Sequence, residues 1–142
     1  MRKPKIIRSK DLEFVNDFEP PLNIYRGVNS KTVEGSKLTM SYVIIPPGGR
    51  NQRHYHVNCD AAGYVFKGRL KMFFGPDHEM EEVIVEQGDF FFYPKGFIHG
   101  LINLSDTVPV ELVATYCGVG TADESGTIFV EPLWDSRQFN CG

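Results

Sequence analysis

The segments Pro47-Gly48-Gly49-Arg50-Asn51-Gln52-Arg53-His54-Tyr55-His56 and Gly88-Asp89-Phe90-Phe91-Phe92-Tyr93-Pro94-Lys95-Gly96-Phe97-Ile98-His99-Gly100-Leu101-Ile102-Asn103 hold three of the four histidines in this 142-residue chain. Side chains alternate faces along a strand, so His54 and His56 point the same way. His99, brought in from a facing strand, completes a face of three nitrogen donors. Such a face suits a first-row divalent metal and leaves positions for water, oxygen or substrate.

Working outward, Arg69–Phe74 and Glu82–Val85 flank a turn at Gly75-Pro76-Asp77-His78. Gln87-Gly88-Asp89 and Pro94-Lys95-Gly96 are further turns on either side of the apolar run Phe90–Tyr93. Short strands punctuated by Gly and Pro predict an antiparallel sandwich or barrel.

In these spacings the chain resembles the cupins. The first cupin motif is matched at Gly48, His54, His56 and Gly68, and the second at Gly88, Pro94, Gly96, His99 and Asn103. The resemblance implies an all-β fold, the cupin double-stranded β-helix, a jelly-roll-like antiparallel β-barrel. It also implies one divalent metal per chain on His54, His56 and His99. The first motif's glutamate position falls on Ala61, which has no ligand atom. Asp60 is adjacent, but alternation sends it to the opposite face. It becomes a ligand only if a bulge near Gly63 shifts the register. A three-histidine site without carboxylate is similar to that of the thiol and diketone dioxygenases among the cupins. Three neutral ligands leave the ion its full charge, which welcomes a small anionic substrate. Fe(II) is the favoured ion for that chemistry; Zn, Mn or Ni suits non-redox isomerase, lyase or decarboxylase chemistry. A non-catalytic small-molecule-binding cupin is the remaining alternative.

The length predicts one domain. Residues 1–35 read as an N-terminal arm with a first strand, 36–131 as the barrel and 132–142 as a tail. Hydrophobic content of 42% and charged content of 23% are ordinary for a globular protein. The net charge of −3 argues against a nucleic-acid partner. No apolar run approaches the ~20 residues that span a bilayer. Met1–Lys10 has no apolar core after its charges, so no secretory leader is expected there. Cys59, Cys117 and Cys141 form neither a metal knuckle nor a disulfide framework, which predicts a cytoplasmic protein.

Along the chain, the basic Met1–Lys10 reads as a solvated arm or as a first strand through Ile6-Ile7, Glu19-Pro20-Pro21 as a loop and Asn23–Val28 as a short strand. In Ser36–Pro46, Leu38, Met40, Tyr42 and Ile44 share one face, and Thr39, Ser41, Val43 and Ile45 the other. Val108–Val119 and Thr127–Val130 are the last strands. Gln52 and Arg50 share the parity of His54, and together with Tyr42 and Tyr64 they are the substrate-binding candidates. Cys59 reads as a small loop residue and His78 as an exposed loop histidine. Trp134 is expected to pack over the barrel or at a subunit contact. Exposed edges on the terminal segments motivate a homodimer.

Overall fold

The computed structural model describes residues 3–131. The tail 132–142, with Trp134 and Cys141, lies outside the described residues. Eleven strands follow in order: β1 Phe14–Val15, β2 Asn23–Val28, β3 Leu38–Ile45, β4 His54–His56, β5 Ala61–Lys67, β6 Arg69–Phe74, β7 Glu81–Glu86, β8 Phe90–Tyr93, β9 His99–Asn103, β10 Val110–Cys117 and β11 Thr127–Phe129. The Gly- and Pro-marked turns fall where the sequence predicts them. Gly68, for example, takes φ 92° between β5 and β6, a conformation that a side chain disfavours.

The strands form two antiparallel sheets, ordered β1-β2-β3-β10-β5-β8 and β11-β4-β9-β6-β7. They pack face to face as an open jelly roll rather than a closed barrel. Ile24, Val43, Ile45, Val65 and Leu112 from the first sheet meet Leu70, Met72, Val85 and Leu101 from the second. On β3 the buried face is Thr39, Ser41, Val43 and Ile45, while Leu38 and Met40 face outward. Tyr116 N–H donates to the Thr39 hydroxyl at 3.1 Å, so that buried hydroxyl has a partner.

Two expectations differ from the structure. Ile6-Ile7 forms no strand; the chain makes a single 3₁₀ turn at Ser9–Asp11 and first pairs at β1. Before residue 36, β1 pairs with β2 and β2 with β3, and Leu22 and Ile24 join the core. No bulge forms at Gly63: β5 pairs regularly from Ala61 to Tyr64 with β8, and its irregularity against β10 lies between Glu111 and Leu112.

The second motif's Asn103 is 2% exposed and ties the elements together. Its amide nitrogen donates to the carbonyls of Ile45 (3.1 Å), Pro46 (3.2 Å) and Val108 (2.9 Å), and its oxygen accepts from Ser105 N–H at 2.9 Å. This network fixes the end of β9, the strand that begins with His99.

Candidate metal centre

The three histidines converge. His54 and His56 lie two residues apart on β4, and His99 is the direct cross-strand partner of His54. His99 therefore comes from the neighbouring strand of the same sheet, not from a facing one. One nitrogen from each ring lies within 4.8 Å of the other two, and all three side chains are buried. The rings of His54 and His99 have centroids 4.4 Å apart.

Each ring is oriented through its other nitrogen. His54 Nδ1 donates to the Gln52 carbonyl at 2.7 Å, and His99 Nδ1 to the Phe97 carbonyl at 3.0 Å. A carbonyl can only accept, so both Nδ1 atoms carry a proton and both Nε2 atoms turn inward. His56 Nδ1 lies 2.8 Å from the Thr127 hydroxyl, which is 2.7 Å from the Ser125 hydroxyl. Ser125 spends its one proton on the Ala122 carbonyl at 2.5 Å. Thr127 must then donate to Ser125 and accept from His56 Nδ1. All three rings thus turn Nε2 inward, each set by an outer partner, which is the arrangement a metal centre requires.

A cavity of about 50 Å³ adjoins the histidines. Its walls are mostly apolar, among them Leu22, Phe91, Leu101 and Leu112, with Tyr93, Tyr116, Asn51 and Glu19 adding polar atoms. A water needs roughly 10–15 Å³ on this scale, so the space suits a few waters or a compact ligand. Tyr93 stacks on His99 with centroids 3.8 Å apart and a 13° tilt. Burial pushes both tyrosine phenols far above their usual range, so they stay protonated.

Glu19 is the site residue that sequence reading missed. It stands in the loop before β2, and its Oε1 lies 3.0 Å from His54 Nε2. Burial works against its charge, but His54 pulls its carboxyl down to about 2. Burial likewise opposes a charge on His54, yet Glu19 raises it above the ordinary value. Burial and the neighbouring His54 push His56 down to about 4 and His99 down to about 3. In the metal-free cluster Glu19 therefore favours a proton on the inward nitrogen of His54, while the inward nitrogens of the other two rings stay bare. A divalent ion must displace that proton. Affinity for Zn(II) or Co(II) is expected to fall about tenfold per pH unit below the raised pKa of His54. Competition titrations at pH 8, 7 and 6 check this; a flat profile rules out His54 as the displaced acid.

The other sequence candidates lie elsewhere. Asp60 is exposed, and its carboxylate accepts from Lys95 N–H at 2.9 Å, away from the histidines. Gln52 turns its amide to the Glu131 carbonyl at 2.8 Å. Arg50 lies over the Phe73 ring at 4.9 Å and 3.7 Å from the Glu131 carboxylate. Parity counted back from His54 fails because residues 51–53 are not in a strand; Asn51, one residue off, lines the cavity instead. Tyr42 and Tyr64 sit on the outer face of the first sheet. Tyr42 bonds the Glu111 carboxylate and stacks on Phe66, and Tyr64 packs on Phe90. Arg53 points away from the cavity and pairs with Glu131 at 2.9 Å and with Asp77. Cys59 is buried and outside the histidine cluster, and His78 is exposed beside Glu79.

Comparison with known families matches the cupin domain over residues 41–116, more than half of the chain. The chain is a cupin. Among curated proteins this cupin is similar to germin-like protein subfamily 2 member 1 of Arabidopsis thaliana, 28% identical over 109 residues; the match covers 72% of the cupin and 49% of the plant protein. The chain thus spans about half the length of that relative. Among solved structures it resembles oxalate oxidase in complex with glycolate, with TM-score 0.66 and 22% identity over 82% of this chain and 59% of that one. It also resembles the polyketide cyclase RemF from Streptomyces resistomycificus, with TM-score 0.72 and 14% identity over 92% of this cupin and 88% of the cyclase. At these identities the structural likenesses show the fold alone.

Proposed function

We propose that this cupin is a metal-dependent enzyme acting on a small anionic substrate, with dioxygenase chemistry as the first reading. The observation that carries it is the trio of buried, convergent imidazoles beside a compact cavity. An ion held there supplies Lewis acidity and, if it is iron, a redox couple for dioxygen. The chain's own part is to hold and orient. His54, His56 and His99 fix the donor directions through their outer hydrogen bonds. The apolar wall excludes water, which strengthens every charge interaction at the centre. Tyr93 and Tyr116 stay protonated and are not bases, and the Tyr93 hydroxyl donates to the Met72 sulfur at 3.1 Å. Among the described residues the cavity lining includes no Lys or Arg, so an anion finds its countercharge at the centre itself.

Metal analysis of the protein purified without added metal, followed by oxygen-uptake screens with small thiols, diketones and carboxylates, tests the reading. About one iron per chain with substrate-dependent oxygen consumption is expected. Turnover without oxygen replaces the dioxygenase with a Lewis-acid isomerase, lyase or decarboxylase. A protein that refuses all metal is a binding module.

The same reading includes a homodimer in a reducing compartment. Phe14 on β1, Phe90 on β8 and Ile128 on β11, all on edge strands, are exposed, and Cys59 and Cys117 are unpaired. Light scattering at micromolar concentration is expected to give twice the chain mass; a monomer mass removes the dimer. Among the described residues no helix is long and apolar enough to cross a membrane.

A further inference from the structure

Both cupin motifs leave this centre without a carboxylate, because Ala61 occupies the position that would bear one. A carboxylate nevertheless arrives, from a segment outside both motifs. Glu19 Oε1 is 3.0 Å from His54 Nε2, and the Glu19 side chain is 10% exposed. That is its one ion pair among the described residues.

The approach of Glu19 is built in. Leu22 N–H donates to the Glu19 carbonyl at 2.8 Å, closing a tight turn, and Leu22 is buried in the core. On the other side Phe18 packs edge-on against Phe129 at 6.5 Å and lies under the Arg26 guanidinium at 5.1 Å. Phe129 in turn lies 5.5 Å from the His54 ring. Anchors on both sides aim the carboxylate inward.

A buried carboxylate is costly unless a cation or several donors satisfy it. Here the carboxylate lines the same cavity as the three imidazoles and meets the inward nitrogen of one of them. A divalent ion bound at His54 Nε2 would meet this carboxylate as a neighbouring donor. Spacing agrees: two ligand atoms at ~2.1 Å and at right angles about one ion lie roughly 3 Å apart.

We propose that Glu19 is a fourth protein ligand, supplying from the loop before β2 the carboxylate that Ala61 lacks. This rests on the three-histidine centre proposed above. It changes what the centre accepts. Three imidazoles and one carboxylate reduce a divalent ion to a net charge of about +1, so a monoanion completes a neutral complex within the apolar cavity. A dianion leaves a buried net charge. Two adjacent positions remain on a six-coordinate ion. The substrate class is therefore a compact monoanion that chelates through two atoms, or binds through one with dioxygen beside it.

The test uses the full chain, Co(II) and a competing chelator, with the Co(II) visible spectrum as the readout of coordination. Glu19→Gln is expected to weaken Co(II) binding by at least about tenfold and to change the spectrum. Adding Ala61→Glu to that variant is expected to restore part of the affinity. If Glu19 only pairs with a protonated His54, the result has the opposite sign. Glu19→Gln then removes a partner that the metal must displace, and affinity stays equal or rises with an unchanged spectrum. That outcome overturns the inference while leaving the three-histidine centre intact. Wild-type protein that takes up no Co(II) overturns both. Circular dichroism reports whether Glu19→Gln folds. Should it not, Glu19→Asp keeps the charge and shortens the reach; a spectrum and affinity identical to wild type then overturn the proposal.

Discussion

Replacing His99 with alanine is expected to weaken divalent-metal binding by about a thousandfold or more, a loss near 4 kcal/mol at ~1.4 kcal/mol per tenfold. Loss of an outer partner of a metal ligand typically costs about 10–100-fold, and this change deletes a donor outright. The ring is 4% exposed and stacked on Tyr93 at 3.8 Å, so nothing nearby can take its place. The fold should survive, because the anchoring network of β9 belongs to Asn103. The apo variant should also tolerate acid better than wild type. His99 is held down to about 3 in the folded chain against an ordinary 6.5. The unfolded chain therefore takes up this proton first, and wild-type stability drains away as pH falls from about 6.5 toward 3. Removing His99 removes that drain. Zinc competition and denaturant melts at pH 7 and 4.5 check both statements; retained metal affinity would show that the centre is misassigned.

Gly63→Ala is the second large effect, and it acts on the fold. Gly63 stands in β5 between Ala114 of β10 and Phe91 of β8. A Cβ there would overlap the Val113 carbonyl oxygen and the Phe91 ring. The carbonyl is backbone in the neighbouring strand and cannot turn aside. Phe91 can move only by giving up its place in the cavity wall. The expected cost is about 2–4 kcal/mol, in line with overpacking inside a close-packed interior. Chemical denaturation should show the loss, and ligand or metal titration of the surviving folded fraction should show an altered cavity. A change smaller than ~0.5 kcal/mol means that the sheet adjusts freely at this point.

What could be read in advance follows from how far each residue's orientation depends on its own neighbours. His54 and His56 were legible because strand alternation is rigid over two residues. His99 was legible because the Gly and Pro turns before it fix where β9 begins. The strand that carries His99 was placed across the sandwich rather than alongside, since spacing does not specify pairing. Arg50 and Gln52 misled because alternation was extended through residues 51–53, where no ladder enforces it. Tyr42 and Tyr64 misled because both faces of their strands carry apolar or aromatic residues, and nothing in the pattern marks the inner one. Glu19 had no local signal. The missing carboxylate at Ala61 was visible, but its replacement lies in a loop that reaches the centre only through tertiary packing.

The position of β11 bears on when this site can exist. β11 pairs with the open edge of β4, and its Thr127 sets the proton on His56. During synthesis the three histidines emerge well before Thr127 does. A nascent chain that has released His99 has all three imidazoles but not the residue that orients one of them, and β4 still shows an unpaired edge. The finished centre is thus among the last features to form. A chain broken off before residue 127 would carry the histidines without the partner that orients His56.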